Sequence, residues 1–335
     1  MSKLTMPSGY KSILSIYETQ TAIGSLKRAF EDNLAAALNL KRVSAPLFLE
    51  PQTGLNDDLD GIQRPVEFEI KEIGKRAQIS HSLAKWKRLA LKNYRFPVGE
   101  GLYTDMNAIR RDDEIDNLHS VYVDQWDWEK IITVSDRTLD YLKNTVVKIV
   151  GAIYDTQEKI VTEFPRIIRS VSKEVSFVTT QELEDAYPSL SDGERENEYL
   201  KEHKTAFVMQ VGDVLKSGQK HGARAPDYDD WKLNGDLFFW SDTLGRAIEI
   251  SSMGIRVDPR SLDEQLSKAN CDHRRALQYH KMLLDGQLPL TIGGGIGQSR
   301  LCMLLLRKAH VGEVQVSIWD DATIDGCKKA NIELL

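Results

Sequence analysis

The chain is poor in cysteine and contains no long apolar run. Its 335 residues include three cysteines, Cys271, Cys302 and Cys327, which are too few and too widely spaced for a zinc knuckle or a disulfide framework. The longest aliphatic run is far shorter than a membrane span, and the first ten residues lack the apolar core of an export signal. We therefore expect a soluble cytoplasmic protein in a reducing compartment.

An excess of positive charge is also missing. Lys and Arg number 44 against 50 Asp and Glu, so the formal net charge is −6. This balance argues against general nucleic-acid binding, and we expect no nucleic-acid partner and no membrane partner. The contents of 41% hydrophobic and 28% charged residues are those of a globular protein. Without repeats or a linker, residues 1–335 are predicted to form a single domain with a polar excursion at about 187–205.

Residues 291–306 read TIGGGIGQSRLCMLLL and place four glycines just before an apolar run. Glycine tolerates positive φ and close approach of other atoms, so the stretch predicts a tight turn. A buried helix should follow, and its amino end, with Arg300 in the first turn, should attract an anion. The spacing fits neither a P-loop nor the G-x-G-x-x-G fingerprint. On these residues alone, a packing turn and a nucleotide site both remain open.

Two predicted strands, 103–110 and 119–128, flank a charged loop as in an antiparallel hairpin. Side chains alternate along a strand, so Gln125 and Asp127 share a face with valines. Burying such polar groups is costly unless they have partners. They either meet water at the strand's end or bind a polar ligand.

A second predicted hairpin joins strands 234–240 and 246–252. A turn near residues 242 and 243 would place Asp236 and Glu249 opposite each other, with Ser251 on the same face. Like charges across a ladder are destabilising. Either both carboxylates point into bulk water, or a cation lies between them, and Mg²⁺ carrying a nucleotide's phosphates suits a site with one or two carboxylates.

The N-terminal third has three informative segments. Residues 19–39 predict an amphipathic helix, which leads into a strand over residues 40–49. Pro46 lacks a donor, so that strand should lie at a sheet edge or a subunit interface. Residues 73–99 contain seven basic residues and no acidic one, which predicts a positive patch that is mostly a solvated face, with a few side chains that lean toward phosphate or carboxylate groups.

Together these pieces resemble the catalytic domain of class II aminoacyl-tRNA synthetases, with Pro46, Arg110 and Arg300 at the positions of its three motifs. Within that superfamily the chain is most similar to the ammonia-dependent asparagine synthetases, or aspartate–ammonia ligases. The stretches that carry this resemblance are 81–88, 99–104, 118–129, 224–231, 233–236, 249–257 and 291–301.

The resemblance implies an α+β fold in which a mainly antiparallel β-sheet is flanked by helices. It also implies a two-step reaction. The β-carboxylate of L-aspartate attacks the α-phosphorus of ATP to give β-aspartyl-adenylate and pyrophosphate, and ammonia then gives L-asparagine and AMP. Mg²⁺ is the implied cofactor, and with Pro46 at an edge a homodimer is expected.

The resemblance also assigns roles to individual residues. The implied ATP-binding residues are Arg110, His119, Ser120, Val121, Arg224, Asp229, Gly295, Gly297 and Arg300. The implied aspartate-binding residues are Ser82, Lys87, Gln125, Asp127, Ser252 and Arg256. Asp236 and Glu249 are the implied metal ligands, and Arg110 and Arg300 are expected to act on the charge that builds during adenylation.

The acid implied to receive ammonium lies in a Gly-x-x-Asp loop, which places it at Asp57. Asp58 follows where the family pattern has asparagine, so either acid could serve, with Asp57 preferred. Ammonia is mostly NH₄⁺ near neutrality, and the nucleophile is the free amine, so an acid–base group is needed. Glutamine is an unlikely nitrogen donor, because residue 2 is Ser2 and the first cysteine is Cys271.

Two other functions stay open at this level. The basic segment 73–99 fits a tRNA-charging enzyme, although little sequence precedes the first motif to form an anticodon-binding domain. A synthetase-like binding module without catalysis is the other alternative, and the presence of Arg110, Asp236, Glu249 and Arg300 argues against it.

Overall fold

A computed structural model describes residues 4–57 and 63–335, and most of these residues surround one large sheet. The helices are α1 (Ile16–Leu38), α2 (Ala84–Asn93), α3 (Leu139–Glu163), α4 (Thr180–Ala186), α5 (Asp192–His203), α6 (Pro259–Lys268), α7 (Gln278–Leu284), α8 (Gln298–Leu305) and α9 (Asp321–Lys329). The strands are β1 (Leu40–Arg42), β2 (Phe48–Leu49), β3 (Glu67–Ile70), β4 (Lys75–Ile79), β5 (Gly101–Ile109), β6 (Tyr122–Ile131), β7 (Ser176–Thr179), β8 (Thr205–Met209), β9 (Asp229–Ser241), β10 (Arg246–Arg256) and β11 (Thr291–Gly297).

Within the described residues the large sheet has eight strands in the order β1-β5-β6-β11-β10-β9-β8-β7. Its pairs are antiparallel except at the two edges, where β1 pairs with β5 and β7 with β8 in parallel. A smaller antiparallel sheet has the order β2-β4-β3. The predicted α+β fold, with a mainly antiparallel sheet and flanking helices, is confirmed. No helix among the described residues is long and apolar enough to cross a membrane.

One face of the large sheet is covered by α1, α3 and α8, which share its main hydrophobic core. Helix α1 begins with a capping box, in which Ser15 and Glu18 satisfy each other's backbone N–H groups. Trp126 of β6 is fully buried on this face, and its ring centroid lies 4.7 Å from that of Phe30. Because side chains alternate along β6, Gln125 and Asp127 point to the opposite face, as the sequence predicted.

The glycine run is a strand and not a turn. Residues 293–297 form most of β11, between β6 and β10, and none of their glycines has a positive φ. What these positions require is space: a Cβ on Gly294 would lie 2.6 Å from the Cβ of Met253. The helix predicted after the run is confirmed as α8, and its apolar residues are buried.

The predicted strand over residues 40–49 is divided in two. β1 pairs with β5 at the edge of the large sheet, whereas β2 pairs with β4 at the edge of the small one. Pro46 lies between them, since a residue without an N–H cannot continue a ladder. The predicted edge position is confirmed for both halves, and the single strand is wrong.

Residues 187–205 are not a purely exposed excursion. A capping box formed by Ser191 and Glu194 starts α5, whose Leu200 is fully buried. The side-chain carbonyl of Asn197 accepts a hydrogen bond from the backbone N–H of Ala247 at 2.8 Å. The segment therefore packs one face on the sheet and exposes only the other.

The basic segment 73–99 is divided between surface and interior. Four of its cations, Lys75, Arg76, Lys92 and Arg95, are exposed, as predicted for most of the segment. Lys85, Lys87 and Arg88 are all buried in α2. Lys85 lies 3.3 Å from the carboxylate of Asp227, and Arg88 donates to the carbonyl of Val257 at 2.7 Å. These three cations therefore anchor α2 within the protein and do not form a solvated patch.

Candidate active site

A cleft of about 530 Å³ opens on the sheet face opposite Trp126. It collects almost all of the site residues predicted from the sequence. Those that line it are Asp57, Ser82, Lys87, Arg110, His119, Ser120, Gln125, Asp127, Arg224, Asp229, Glu249, Ser252, Arg256, Gly295, Gly297 and Arg300. Val121 and Asp236 do not line it, and Asp58 lies outside the described residues.

A buried ion pair forms the floor of the cleft. Lys87 Nζ lies 2.9 Å from Asp127 Oδ1 and donates to the carbonyl of Gly294, also at 2.9 Å. Burial lowers the pKa of Lys87, although the charge of Asp127 partly opposes this effect. Asp127 Oδ2 is buried without a hydrogen-bond partner among the described residues. The pair thus keeps one ammonium N–H and one carboxylate oxygen for a ligand.

Gly295 explains how Gln125 and Asp127 fit above β11. A Cβ at that position would lie 2.8 Å from Asp127 Oδ1 and even closer to the side-chain oxygen of Gln125. The glycine therefore makes room for polar side chains. Its role in this structure is to shape the floor of the cleft.

Arg256 stands beside this floor and is held by two acids. Its guanidinium donates to Glu129 through Nε and Nη2, at 3.0 and 2.8 Å from Oε2, and through Nη1 to Asp229. These neighbours raise the pKa of Arg256 despite its burial. Arg224 Nη1 lies 3.7 Å from the other oxygen of Asp229. Asp229 therefore lies between two arginines, Arg224 and Arg256.

The two proposed metal ligands are not directly opposite each other. A bulge between Glu249 and Ser251 shifts the register of β10, so that Asp236 pairs with Ser252 and Glu249 with Phe238. The predicted opposition was wrong because one extra residue changes which side chains share a face. Ser251 was also misplaced: its hydroxyl is buried with no hydrogen-bond partner among the described residues.

Ser252 instead brings the two acids together. Its Oγ lies 2.7 Å from Asp236 Oδ1 and 2.9 Å from Glu249 Oε1. Burial, together with the charge of Glu249, raises the pKa of Asp236, although Arg224 is hydrogen-bonded to it. Burial opposes ionisation of Glu249 as well, but Arg300 and Ser252 lower its pKa overall.

Arg110 follows directly after β5 and marks the opposite end of the cleft. Its Nη2 lies 3.4 Å from the carbonyl of His81, whose own Nδ1 is 3.0 Å from the carbonyl of Asp57. Burial lowers the pKa of His81. The backbone N–H of Arg110 donates to the carbonyl of Val121 at 2.8 Å. Val121 therefore holds Arg110 through its main chain, while its side chain stays outside the cleft.

His119 and Ser120 lie in the loop before β6, and both already have partners. His119 Nδ1 is 2.8 Å from Asp116 Oδ1. Burial raises the pKa of Asp116, but the hydrogen bond and charge of His119 lower it to about 2 overall. Ser120 Oγ donates to the carbonyl of Tyr122 at 2.7 Å or to the side chain of Gln315.

One N–H group at the amino end of α8 is already occupied within the protein. The N–H of Ser299 donates to Asp124 Oδ1 at 3.0 Å, so a carboxylate of the protein already takes this position. Arg300 Nη1 donates to the carbonyl of Glu249 at 3.1 Å and lies 3.7 Å from its Oε2. An incoming anion would therefore meet the side chain of Arg300.

Comparison with known proteins identifies the family. Residues 17–331 match the family described as aspartate–ammonia ligase. The chain is 56% identical over 336 residues to the aspartate–ammonia ligase of Clostridium perfringens strain 13, with 100% of each chain covered. It is 56% identical to that of Lactobacillus acidophilus, with 99% of this chain and 100% of the relative covered.

The chain belongs to the aspartate–ammonia ligase family. Its fold is similar to that of asparaginyl-tRNA synthetase from Pyrococcus horikoshii, solved in complex with asparaginyl-adenylate. The TM-score is 0.64 at 14% sequence identity, and the match covers 90% of this chain and 68% of the synthetase. This likeness confirms the predicted class II synthetase fold.

Two residues of this family member were missed from the sequence. Glu129 is fully buried and bonded to Arg256, and alternation could have found it, because it lies two positions beyond Asp127 on the same face of β6. Tyr228 also lines the cleft. Burial, and secondarily the charge of Asp57, raises its pKa. No sequence signal pointed to Tyr228, since its position depends on the packing of the loop before β9.

Few carboxylates are grouped closely enough to hold a metal ion in the part of the chain that the structure describes. Within residues 4–57 and 63–335, no group of three or more His, Cys, Asp and Glu could hold a metal ion. Mg²⁺ is commonly bound by one or two carboxylates together with water and substrate phosphates. Asp236 and Glu249, joined by the hydroxyl of Ser252, are the two carboxylates that would form such a site.

Proposed function

We propose that this chain synthesises L-asparagine from L-aspartate, ammonia and ATP through β-aspartyl-adenylate, releasing pyrophosphate and AMP. The observation that carries the proposal is the convergence of an amino-acid-binding floor, Lys87, Asp127 and Arg256, with Arg110 and Arg300 in one cleft. Identity over the whole chain to aspartate–ammonia ligases supports the same reaction.

The floor suits the zwitterionic end of aspartate. The free oxygen of Asp127 accepts from the α-ammonium, with Gln125 beside it, and Lys87 and Arg256 receive the α-carboxylate. Ser82 and Ser252 complete the pocket at its two sides. This orientation leaves the β-carboxylate, and not the α-carboxylate, facing ATP. The side-chain carboxylate is therefore the group that becomes activated.

The charges along the cleft suit adenylation. A carboxylate acylates poorly until its oxygen becomes a good leaving group, and negative charge builds on phosphorus during the transfer. Arg110 stabilises this charge at the α-phosphate, while Arg300 binds the pyrophosphate side. Arg224 and Asp229 lie beside the phosphates and ribose, and Gly295 and Gly297 allow adenosine to approach the backbone. His119, Ser120 and the main chain of Val121 lie near the adenine.

Asp236 and Glu249 would hold Mg²⁺, which when bound neutralises phosphate charge. Arg224, which bonds to Asp236 in this structure, then has phosphate oxygens as alternative partners. Ser252 keeps the two carboxylates close whichever cation they face.

Asp57 is the proposed acceptor for ammonium. Its side chain is buried and lines the cleft, on the side where Arg110 would hold the activated carbonyl. It takes the proton that NH₄⁺ must lose before the free amine attacks.

We further propose a cytoplasmic homodimer. The three cysteines are unpaired, which suits a reducing compartment. Leu47, Phe48 and Phe68 leave an apolar surface on the small sheet, being 50%, 42% and 37% exposed. Sedimentation at micromolar concentration tests the assembly, and a monomer would contradict it.

The direct test combines purified protein with aspartate, ATP, Mg²⁺ and ammonium in the absence of tRNA. We expect asparagine and AMP to form, and pyrophosphate–ATP exchange to depend on aspartate. Formation of aspartyl-tRNA when tRNA is added would instead indicate a tRNA-charging enzyme. Absence of aspartate-dependent exchange would indicate a binding module without catalysis.

A further inference from the structure

Arg256 lies in the cleft wall with most of its donors already engaged. A guanidinium has five N–H groups. Glu129 accepts from Nε and from one N–H of Nη2, and Asp229 accepts from one N–H of Nη1. Within residues 4–57 and 63–335, one N–H on each terminal nitrogen has no hydrogen-bond partner, and two N–H groups are the number needed to bind one carboxylate through both of its oxygens.

Glu129 is itself fixed in place. Its carboxylate is fully buried, and Oε1 accepts a hydrogen bond from Thr291 Oγ1 at 2.7 Å. Burial opposes its ionisation, but Arg256 and Lys87 lower its pKa overall. Glu129 therefore forms a buried ion pair with Arg256.

Strand β11 makes room for this pair. A Cβ on Gly293 would lie 2.7 Å from Arg256 Nη2 and would overlap Glu129 Oε2. Only a residue without a side chain leaves space for the carboxylate and the guanidinium together. This gives the first glycine of the run a role distinct from that of Gly295.

We propose that Glu129 is a positioning residue for aspartate binding. It clamps the Nε edge of Arg256, so that the two remaining N–H groups are presented to the α-carboxylate of the substrate. Glu129 does not line the cleft, so its effect on aspartate passes through the cations beside it, and Arg256 is the one to which it is hydrogen-bonded. The proposal rests on the proposed function, because it concerns the affinity for aspartate.

The test is Glu129→Gln, which keeps the shape of the side chain and removes its charge. Aspartate-dependent pyrophosphate–ATP exchange is measured while aspartate and ATP are varied separately. We expect the KM for aspartate to rise about 10- to 100-fold, as is usual when a supporting partner of a binding group is lost. The KM for ATP should change by less than about twofold, and kcat should fall less than kcat/KM for aspartate.

Thr291→Val provides a milder variant should Glu129→Gln fail to fold. It removes the hydrogen bond to Glu129 Oε1 and keeps the charge, so the KM for aspartate should rise in the same direction by a smaller factor. Glu313→Gln is the matched control. Glu313 is also a buried carboxylate with a lysine nearby, 3.8 Å from Lys308, but it does not line the cleft, and its loss should leave the KM for aspartate unchanged.

The outcomes separate the two proposals. If the native protein shows no aspartate-dependent exchange, the proposed function fails. If it shows exchange and the two variants keep the native KM for aspartate, positioning by Glu129 is wrong. An equal rise in the KM values for aspartate and ATP would also overturn it, since that pattern reports a general structural effect.

Discussion

Ser252 lies directly across from Asp236 in the β9–β10 ladder, and its hydroxyl oxygen is within 3 Å of both Asp236 and Glu249. A hydroxyl has one hydrogen, so it can donate to only one of the carboxylates at a time. The other acid depends on Arg224 or Arg300 for neutralisation. The β10 bulge thus brings two carboxylates to one hydroxyl, and each of them also has an arginine beside it.

Glu249→Gln should weaken the use of Mg²⁺. Removing one of two charged ligands should raise the Mg²⁺ concentration for half-maximal activity by about tenfold or more. Titration of aspartate-dependent exchange with Mg²⁺ measures this. Glu100→Gln, which alters a carboxylate paired with Lys41 at the surface, should leave the titration unchanged. An unaltered Mg²⁺ requirement in Glu249→Gln would remove that residue from the metal site.

Arg110→Ala should lower adenylation sharply. A charged donor aimed at the developing phosphate charge contributes about 10²- to 10³-fold in rate, so pyrophosphate–ATP exchange should fall by at least this factor. Arg111→Ala is the control, because Arg111 is the exposed neighbour of Arg110. Arg300→Ala should also abolish exchange. Comparable activity in Arg110→Ala and Arg111→Ala would contradict the role of Arg110.

Asp57→Ala should separate the two half-reactions. Because the role proposed for Asp57 concerns ammonia and not aspartate, exchange should continue while asparagine formation falls by about 10²- to 10⁴-fold. Hydroxylamine, a nucleophile that is neutral near pH 7, should be less affected than ammonium. Asp58→Ala decides between the two neighbouring acids, and the larger loss identifies the acceptor. An equal loss of exchange and synthesis would show that Asp57 binds aspartate.

His310 should make stability depend on pH. Burial lowers its pKa to about 4 from an ordinary value of 6.5, and its Nδ1 accepts from the N–H of Gly312. Between these values the unfolded chain binds a proton that the folded chain excludes. The contribution of His310 to the free energy of unfolding is therefore greatest above pH 6.5, and it falls by about 3 kcal/mol as the pH drops to 4.

Denaturant unfolding at several pH values measures the slope of the free energy of unfolding against pH. His310→Asn keeps a side-chain oxygen that can accept from the N–H of Gly312, and its slope between pH 6.5 and 4 should be flatter than that of the native chain. His273→Asn, at an exposed position, should keep the native slope. Equal slopes in all three proteins would contradict the role of His310.

Local patterns predicted much of the fold. Amphipathic periodicity located α1, and alternation placed Gln125 and Asp127 on the face away from Trp126, because a strand allows only two side-chain directions. The roles of Lys87 and Arg256 came from resemblance to a family. Nothing in the spacing of those residues showed that they would meet.

The register of the strands and the contacts between distant residues could not be predicted from the sequence. Because of one bulge in β10, Ser252 and not Ser251 lies beside the two acids. No residue type in that stretch predicts the bulge. Glycine predicted a turn at residues 293–297 because its conformational freedom is visible in the sequence, whereas the side chains crowding it from β6 and β10 are not. The helix α8 was predicted correctly, but not the carboxylate of Asp124 at its amino end, which comes from a distant strand.

The sequence by itself determined the family, the types of charged group available and the strands that carry many of them, since these depend on residues close together in the chain or matched one by one. Only the tertiary structure decided which charges pair: Lys87 with Asp127, Arg256 with Glu129 and Asp229, and Arg224 with Asp236. Buried charges are stable only when opposite charges and hydrogen bonds surround them. Those partners lie far apart in the sequence and are brought together by the packing of the sheet.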